Sequence, residues 1–243
     1  MTETPTPREV REDLRNYLKF LQRSGFLYLV PKPASPDDAP GPSVHSRAEE
    51  LEALRIVAST CVKCRLSEGR THVVFGEGNP DADILFVGEA PGEDEDRQAR
   101  PFVGRSGKLL DSMMDHVGLR RKDVFITNLN KCRPPGNRDP LPDEIEACQP
   151  YLWRQIELIR PRVIVALGRF AAHALTGTDT PITEMRGRLY RYRDVPLMPT
   201  LHPAYVARNM SLLSLVHEDL SRAIALVRAA APPAAAAPES PQP

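Results

Sequence analysis

The residues able to do chemistry in this 243-residue chain are four cysteines and a few polar side chains placed where apolar runs end. The cysteines stand as Cys61-Val-Lys-Cys64, followed much later by Cys132 and Cys148. Four thiolates from one CxxC and two isolated positions can close a tetrahedral metal site. Zinc ribbons ordinarily present a second CxxC, which this chain lacks, so zinc is the weaker choice. Irregularly spaced sets of four also hold [4Fe–4S] clusters. Coordination chemistry alone leaves iron–sulfur only modestly ahead, with four unrelated cysteines as the bland alternative. The polar set is Glu89 in Gly88-Glu89-Ala90-Pro91-Gly92, Asn128 at the end of Val124-Phe-Ile-Thr-Asn128, and His202 before Pro203. A carboxylate can position water, a carboxamide offers a donor and an acceptor in one plane, and an imidazole N–H can stabilise developing negative charge.

Short β-rich runs supply these positions: Asp83-Ile-Leu-Phe-Val-Gly88, Val124 to Asn128, Val163-Ile-Val-Ala-Leu-Gly168 and Pro196-Leu-Met-Pro-Thr-Leu201. Helical patterns fill 105–117, 143–159, 169–176 and 211–230, the last with Leu213, Val216, Leu220, Ile224 and Val227 on one stripe. Nearly continuous apolar strands alternating with helices predict an α/β fold, a central parallel sheet covered on both faces. Ligands of such sheets sit beyond the C-terminal strand ends. That rule singles out the Gly88 loop, Asn128, the loop after Gly168, and His202-Pro203.

Of the 25 prolines, seven fall in 1–47, thirteen in 48–231 and five in 232–243. The expected organisation is an N-terminal helix (Val10, Leu14, Leu18 and Leu21 within 8–24) plus a Pro-rich linker at 31–42, a folded domain over 48–231, and a disordered tail over 232–243. Formal charge is zero, 32 basic against 32 acidic residues, but the distribution is uneven. Residues 77–96 carry eight acids and no Lys or Arg, whereas 97–138 carry ten basic residues against three acidic. No apolar run approaches the ~18–20 residues of a membrane span, and no signal-like segment opens the chain, which leads us to expect a cytoplasmic, nucleoid-associated protein without membrane contact.

Read together, Cys61-Val-Lys-Cys64-Arg-Leu, Val74-Phe-Gly-Glu-Gly-Asn-Pro80, Gly88-Glu-Ala-Pro-Gly-Glu-Asp-Glu-Asp96, Arg100-Pro-Phe-Val-Gly104, Thr127-Asn128, Lys131-Cys-Arg-Pro-Pro135 and His202-Pro-Ala-Tyr205 resemble the iron–sulfur uracil-DNA glycosylases called family 4. The resemblance runs from about Thr60 to Arg222, with Cys61, Cys64, Cys132 and Cys148 at the family's ligand positions. It implies a [4Fe–4S] cluster, an α/β/α sandwich and removal of uracil from DNA, with residues 1–47 and the tail inheriting nothing.

Such an enzyme must grip phosphates, flip a nucleotide and read its base in a pocket. Phe102 would stack on the base, worth roughly 1–3 kcal/mol. Asn128 would pair with uracil O4 and N3–H, a pattern that cytosine reverses. His202 would donate to uracil O2, and Glu89 would position the attacking water, with Ala90 and Pro91 lining the pocket. Glu95 is a secondary candidate with an expected structural role, and the rest of the acidic run is expected to be solvated. Grip on DNA is expected from Arg105, Lys108, Lys131, Arg133, Arg138, Arg186, Arg188 and Arg208, with Tyr205, Val206 or Arg208 filling the gap left by the flipped nucleotide. A strand-end lysine for Schiff-base chemistry is missing apart from Lys131, so a monofunctional glycosylase acting as a monomer is expected. The rival is a non-catalytic or covalent uracil-DNA binding protein. Relatives of that kind carry a basic insertion with an extra His after the third strand, and Pro134-Pro-Gly-Asn-Arg-Asp-Pro140 contains neither. The first helix has a possible protein partner.

Overall fold

A computed structural model describes residues 46–229. The expected helix at 8–24, the linker at 31–42 and the tail from 232 lie outside the described residues. In chain order the elements are α1 (Arg47–Ser59), α2 (Leu66–Gly69), β1 (Glu77–Gly78), β2 (Ile84–Gly88), α3 (Glu93–Gln98), α4 (Arg105–His116) and β3 (Phe125–Asn128). Then come α5 (Pro142–Ile159), β4 (Val163–Leu167), α6 (Arg169–Thr176), α7 (Ile182–Met185), β5 (Tyr190–Tyr192), β6 (Val195–Thr200), α8 (Pro203–Val206) and α9 (Leu213–Ala229).

The six strands form one sheet in the order β1-β3-β2-β4-β6-β5. The central four, β3, β2, β4 and β6, are parallel, as expected. Both edges differ: β1 runs antiparallel to β3, and β5 antiparallel to β6. The physical reason at β5 is the connection. Only Arg193 and Asp194 separate Tyr192 from Val195, and two residues can join antiparallel neighbours only. Arg193 takes the positive φ, 51°, that such a tight hairpin demands.

Every residue of β2 and β4 is buried, and alternate side chains feed two separate cores. Leu85, Val87, Ile164 and Ala166 pack with Leu51, Leu152, Ile156 and Ala171 from α1, α5 and α6. Ile84, Phe86, Val163 and Val165 pack with Leu110, Met113, Val216 and Leu220 from α4 and α9. The result is the three-layer α/β/α sandwich. None of the described helices is long and apolar enough to cross a membrane.

Within the acidic run Asp96 departs from the solvated surface expected of it, whereas Asp81, Asp83, Glu93 and Asp94 keep to it. Residues 93–98 wind into α3, whose Glu95 and Asp96 turn inward. Asp96 accepts the main-chain N–H groups of Thr71 (2.9 Å) and His72 (3.2 Å), tying α3 to the segment that follows α2. On the opposite side of the sheet order, buried Asp219 of α9 accepts from Arg186 Nε at 3.0 Å, Arg186 Nη2 at 2.5 Å and Thr200 Oγ1 at 2.7 Å. Arg186, expected on DNA, is therefore committed to an internal ion pair that locks α9 onto the end of β6.

Removing one member of a buried ion pair strands the other. Asp219→Ala is expected to lower unfolding free energy by about 3 kcal/mol in chemical denaturation. The exposed Arg188→Ala should stay within ~0.5 kcal/mol of the parent.

Candidate functional site

The strand order reverses around β2: the chain passes to β3 on one side, then returns to β4 on the other. Parallel strands diverge there, and a cleft of about 620 Å³ opens beyond their C-terminal ends. Glu89, Ala90, Pro91, Phe102, Asn128 and His202 all line it. The six residues assigned to base binding from sequence are thus brought together, although they span more than a hundred positions.

Two glycines make room for them. A Cβ on Gly88 would lie 2.4 Å from Asn128 Oδ1 and 2.4 Å from Phe102 Cζ, so the carboxamide and the ring meet only because β2 ends without a side chain. Gly168, with φ +86°, would place a Cβ 2.8 Å from His202 Cβ. The left-handed backbone there favours glycine in any case.

Phe102 is held in an uncommon conformation, φ 53°, by partners on both sides. The Glu95 carboxylate accepts the N–H groups of Val103 and Gly104, both at 2.8 Å, and that of Gly92 at 3.1 Å. Arg121 donates to the carbonyls of Pro101 and Phe102 while paired to Glu77 and Asp111. Glu95 is therefore scaffold for the aromatic loop, in line with its expected structural role.

Asn128 is 1% exposed, and its Oδ1 has no hydrogen-bond partner among the described residues. Buried carboxamides are ordinarily satisfied. An orphaned acceptor on a cleft wall is poised for a ligand N–H.

The His202 ring lies 5.9 Å from that of Phe102. Its Nδ1 accepts the Ala204 N–H at 3.1 Å, capping α8, which leaves the ring proton on Nε2. Burial, helped by the positive Arg208, lowers its pKa to about 4, so the ring is a neutral donor.

Of the three acids lining the cleft, Glu89 is the one without a hydrogen bond or ion pair among the described residues. Burial chiefly, and then Asp139, push its pKa up to about 7, opposed by Arg169. Asp139 and Arg169 pair at 2.5 Å and line the same cleft. Neither was singled out from sequence. The loop after Gly168 was, and Arg169 is its first residue.

The proposed DNA contacts separate into two groups. Arg105, Lys108, Arg188 and Arg208 are exposed, and Arg208 lines the cleft. Lys131 is instead 1% exposed, with Nζ donating to Thr127 Oγ1, Asn128 O and Gln155 Oε1. The side chain folds back against the end of β3, so it is buried and cannot reach DNA. Burial pulls its pKa down to about 7, opposed by the sulfurs of Cys148 and Cys132. Arg133 pairs with Glu93, and Arg138 with the buried Glu144. Val206 belongs to the core, leaving Tyr205 and Arg208 at the rim.

A second, small cavity is lined by Cys61, Cys64, Cys132 and Cys148 together with Arg70, Lys131 and Tyr151. All four thiols are free, and Cys132 and Cys148 are buried. Arg70 Nη1 donates to Cys132 Sγ at 3.3 Å and the Lys131 N–H to Cys148 Sγ at 3.2 Å, contacts that suit thiolate sulfur. Among the described residues no three His, Cys, Asp or Glu side chains form a group suited to one metal ion. Four cysteine sulfurs around one cavity are a donor set of the kind that holds an iron–sulfur cluster.

The hydrogen bond at Nδ1 makes a prediction for solution. The His202 imidazole should remain the neutral Nε2–H tautomer from pH 8 down to about 5, as read from 15N NMR shifts. A titration midpoint above 6 would contradict the geometry.

Residues 75–224 match the family model described as the uracil DNA glycosylase superfamily. The type-4 uracil-DNA glycosylase of Sulfurisphaera tokodaii is 46% identical over 183 residues, covering 72% of this chain and 83% of that protein. The type-4 uracil-DNA glycosylase of Thermotoga maritima is 44% identical over 189 residues, 76% of this chain and 98% of that one. A type-5 uracil-DNA glycosylase from Thermus thermophilus matches a shorter stretch, 40% identical over 119 residues, 42% of this chain and 53% of its own. With its cleft at the strand ends and this similarity across the whole α/β/α body, the chain belongs to the uracil DNA glycosylase superfamily and, within it, to the type-4 uracil-DNA glycosylases.

Proposed function

We propose that this protein flips uracil out of DNA and hydrolyses its N-glycosidic bond, leaving an abasic site. The observation that carries the reading is the unpartnered carboxamide of Asn128, set in one cleft with the Phe102 ring and the imidazole of His202.

A flipped uracil stacks on Phe102 and presents N3–H and O4 to the Asn128 amide. Cytosine presents an acceptor at N3 and a donor at C4, which leaves the amide's dipoles opposed and the orphaned oxygen unpaired. As the bond from C1′ to the base breaks, its electron pair passes to uracil, and negative charge grows on O2. The Nε2–H of neutral His202 meets that charge. Glu89, as carboxylate, holds a water for attack on C1′ and takes its proton. No lysine lines the cleft among the described residues, and Lys131 Nζ is committed elsewhere, which supports a monofunctional hydrolase.

We assign the four cysteines to a [4Fe–4S] cluster, supported by the free thiols around one cavity and the donors aimed at their sulfurs. When bound, the cluster supplies cross-linking of the α1–α2 connection, the loop after β3 and α5. One of those segments, the loop after β3, lines the base pocket through Pro134, Asn137 and Arg138, so the cluster's role is structural. We read 48–231 as the catalytic domain, acting as a monomer on uracil-containing DNA, with Arg105, Arg188 and Arg208 on phosphates. Tyr205, 45% exposed at the rim, fills the gap left by the flipped nucleotide.

Incubation with a uracil-containing oligonucleotide tests the reading. Free uracil is expected; a covalent adduct or simple retention would mark a binding protein instead. His202→Ala should slow single-turnover release by about 10²–10³-fold, and Asn128→Ala should abolish it. Because Glu89 is protonated below its pKa of about 7, kcat/KM should rise with pH through about 7 and then level off. Glu89→Gln should flatten that limb, and its survival in the variant would remove Glu89 from the role.

A further inference from the structure

Among the described residues the buried ammonium of Lys131 has three partners and no counter-ion. Nζ lies 2.6 Å from Thr127 Oγ1, 2.6 Å from the Asn128 carbonyl and 2.7 Å from Gln155 Oε1. Asn128 O and Gln155 Oε1 can only accept. The Thr127 hydroxyl lies 2.9 Å from the Phe75 carbonyl, an acceptor that takes its proton, so its oxygen accepts from lysine as well. Three acceptors use all three protons of an ammonium, and a neutral amine has only two to give.

Among the described residues no carboxylate pairs with this cation, whereas the buried acids Glu144 and Asp219 have Arg138 and Arg186. A buried charge without compensation is costly. What stands beside Lys131 is sulfur: Cys132 follows it in the chain, and Cys148 Sγ accepts its main-chain N–H at 3.2 Å. A [4Fe–4S] core on four thiolates carries net negative charge, the kind of partner this cation lacks.

We propose that Lys131 is a positioning residue joining the cysteine site to the base reader: its ammonium grips the Asn128 main chain and balances the charge of the thiolate-held cluster. This rests on the cluster and pocket assignments made above. Two consequences separate it from a merely structural lysine. The cation favours the reduced state of the cluster, and its grip sets how well the Asn128 carboxamide is aimed.

The test uses the cluster-loaded protein, with Lys131→Met and Gln155→Leu beside the parent. Each is measured for visible cluster absorbance, midpoint potential by optical redox titration, affinity for a uracil oligonucleotide, and single-turnover uracil release. Lys131→Met should show a lower midpoint potential and more than tenfold slower release, with DNA affinity within twofold. Gln155→Leu loses one acceptor but keeps the cation, so release should slow severalfold at unchanged potential. A loaded Lys131→Met protein with the parental potential overturns the proposal. Where Lys131→Met fails to fold or to hold the cluster, Gln155→Leu decides it: slowed release at unchanged potential supports the link, and parental release overturns it. The parent protein keeps the two readings apart. A coloured parent that frees no uracil ends the glycosylase reading while the potential of Lys131→Met still decides the charge balance; a colourless parent overturns the charge balance itself.

Discussion

No side chain fits at the end of β2, and the base pocket depends on that vacancy. Gly88 lets the Asn128 amide and the Phe102 ring close over the strand terminus, each to a place where a single methyl would overlap it. Everything else holds those groups there. Parallel pairing sets Gly88 directly opposite Asn128 in the register of β2 and β3. The N–H groups of Leu129 and Asn130 then bond back to the carbonyls of Gly88 and Glu89, both at 3.0 Å, extending the pairing past the strands. On the other flank Gly168 gives His202 the same clearance.

The carboxylates around this pocket divide by what they touch. Glu95 and Asp96 accept several main-chain N–H groups and act as internal caps for the loops carrying Phe102 and Thr71. Glu144 and Asp219 anchor helices through arginine pairs. Glu89 has none of these partners. An acid that burial disfavours and that no donor stabilises keeps its proton to near neutrality, a range in which it can exchange protons with water. The same neighbourhood keeps His202 neutral, so the two groups are tuned to different tasks by one desolvated cleft.

Charge balance has a similar internal logic. Zero net charge conceals a basic stretch at 97–138, yet three of its ten cations turn to internal partners: Arg121 onto the Phe102 loop, Arg138 onto Glu144, Lys131 against the end of β3. Six others face solvent, but Arg97, Arg100 and Arg120 are paired with Asp94, Glu77 and Asp123, which leaves Arg105, Lys108 and Lys122. A local sum of charges therefore overstates how much of this surface meets phosphate.

The strands that carry the site were legible in sequence because both faces of β2 and β4 are buried, which writes an unbroken apolar run. The Gly88 loop, Asn128 and His202 were legible because residue type and strand-end position coincide, whereas the cysteines stood out by type and number, Cys61 and Cys64 lying between helices and Cys148 within α5. The edge strands β1 and β5 were not: at two and three residues, half-exposed, they carry no periodicity, and the antiparallel sense of β5 follows from its two-residue connection to β6. Nor were the fates of individual charges. Lys131 and Arg186 look like surface cations in one dimension, because a long aliphatic stem with a charged head reads the same whether solvent or a buried acceptor awaits it. Only the folded chain brings Gln155 and the Asn128 carbonyl around one ammonium and Asp219 against one guanidinium, and so decides which basic residues build the site and which remain for DNA.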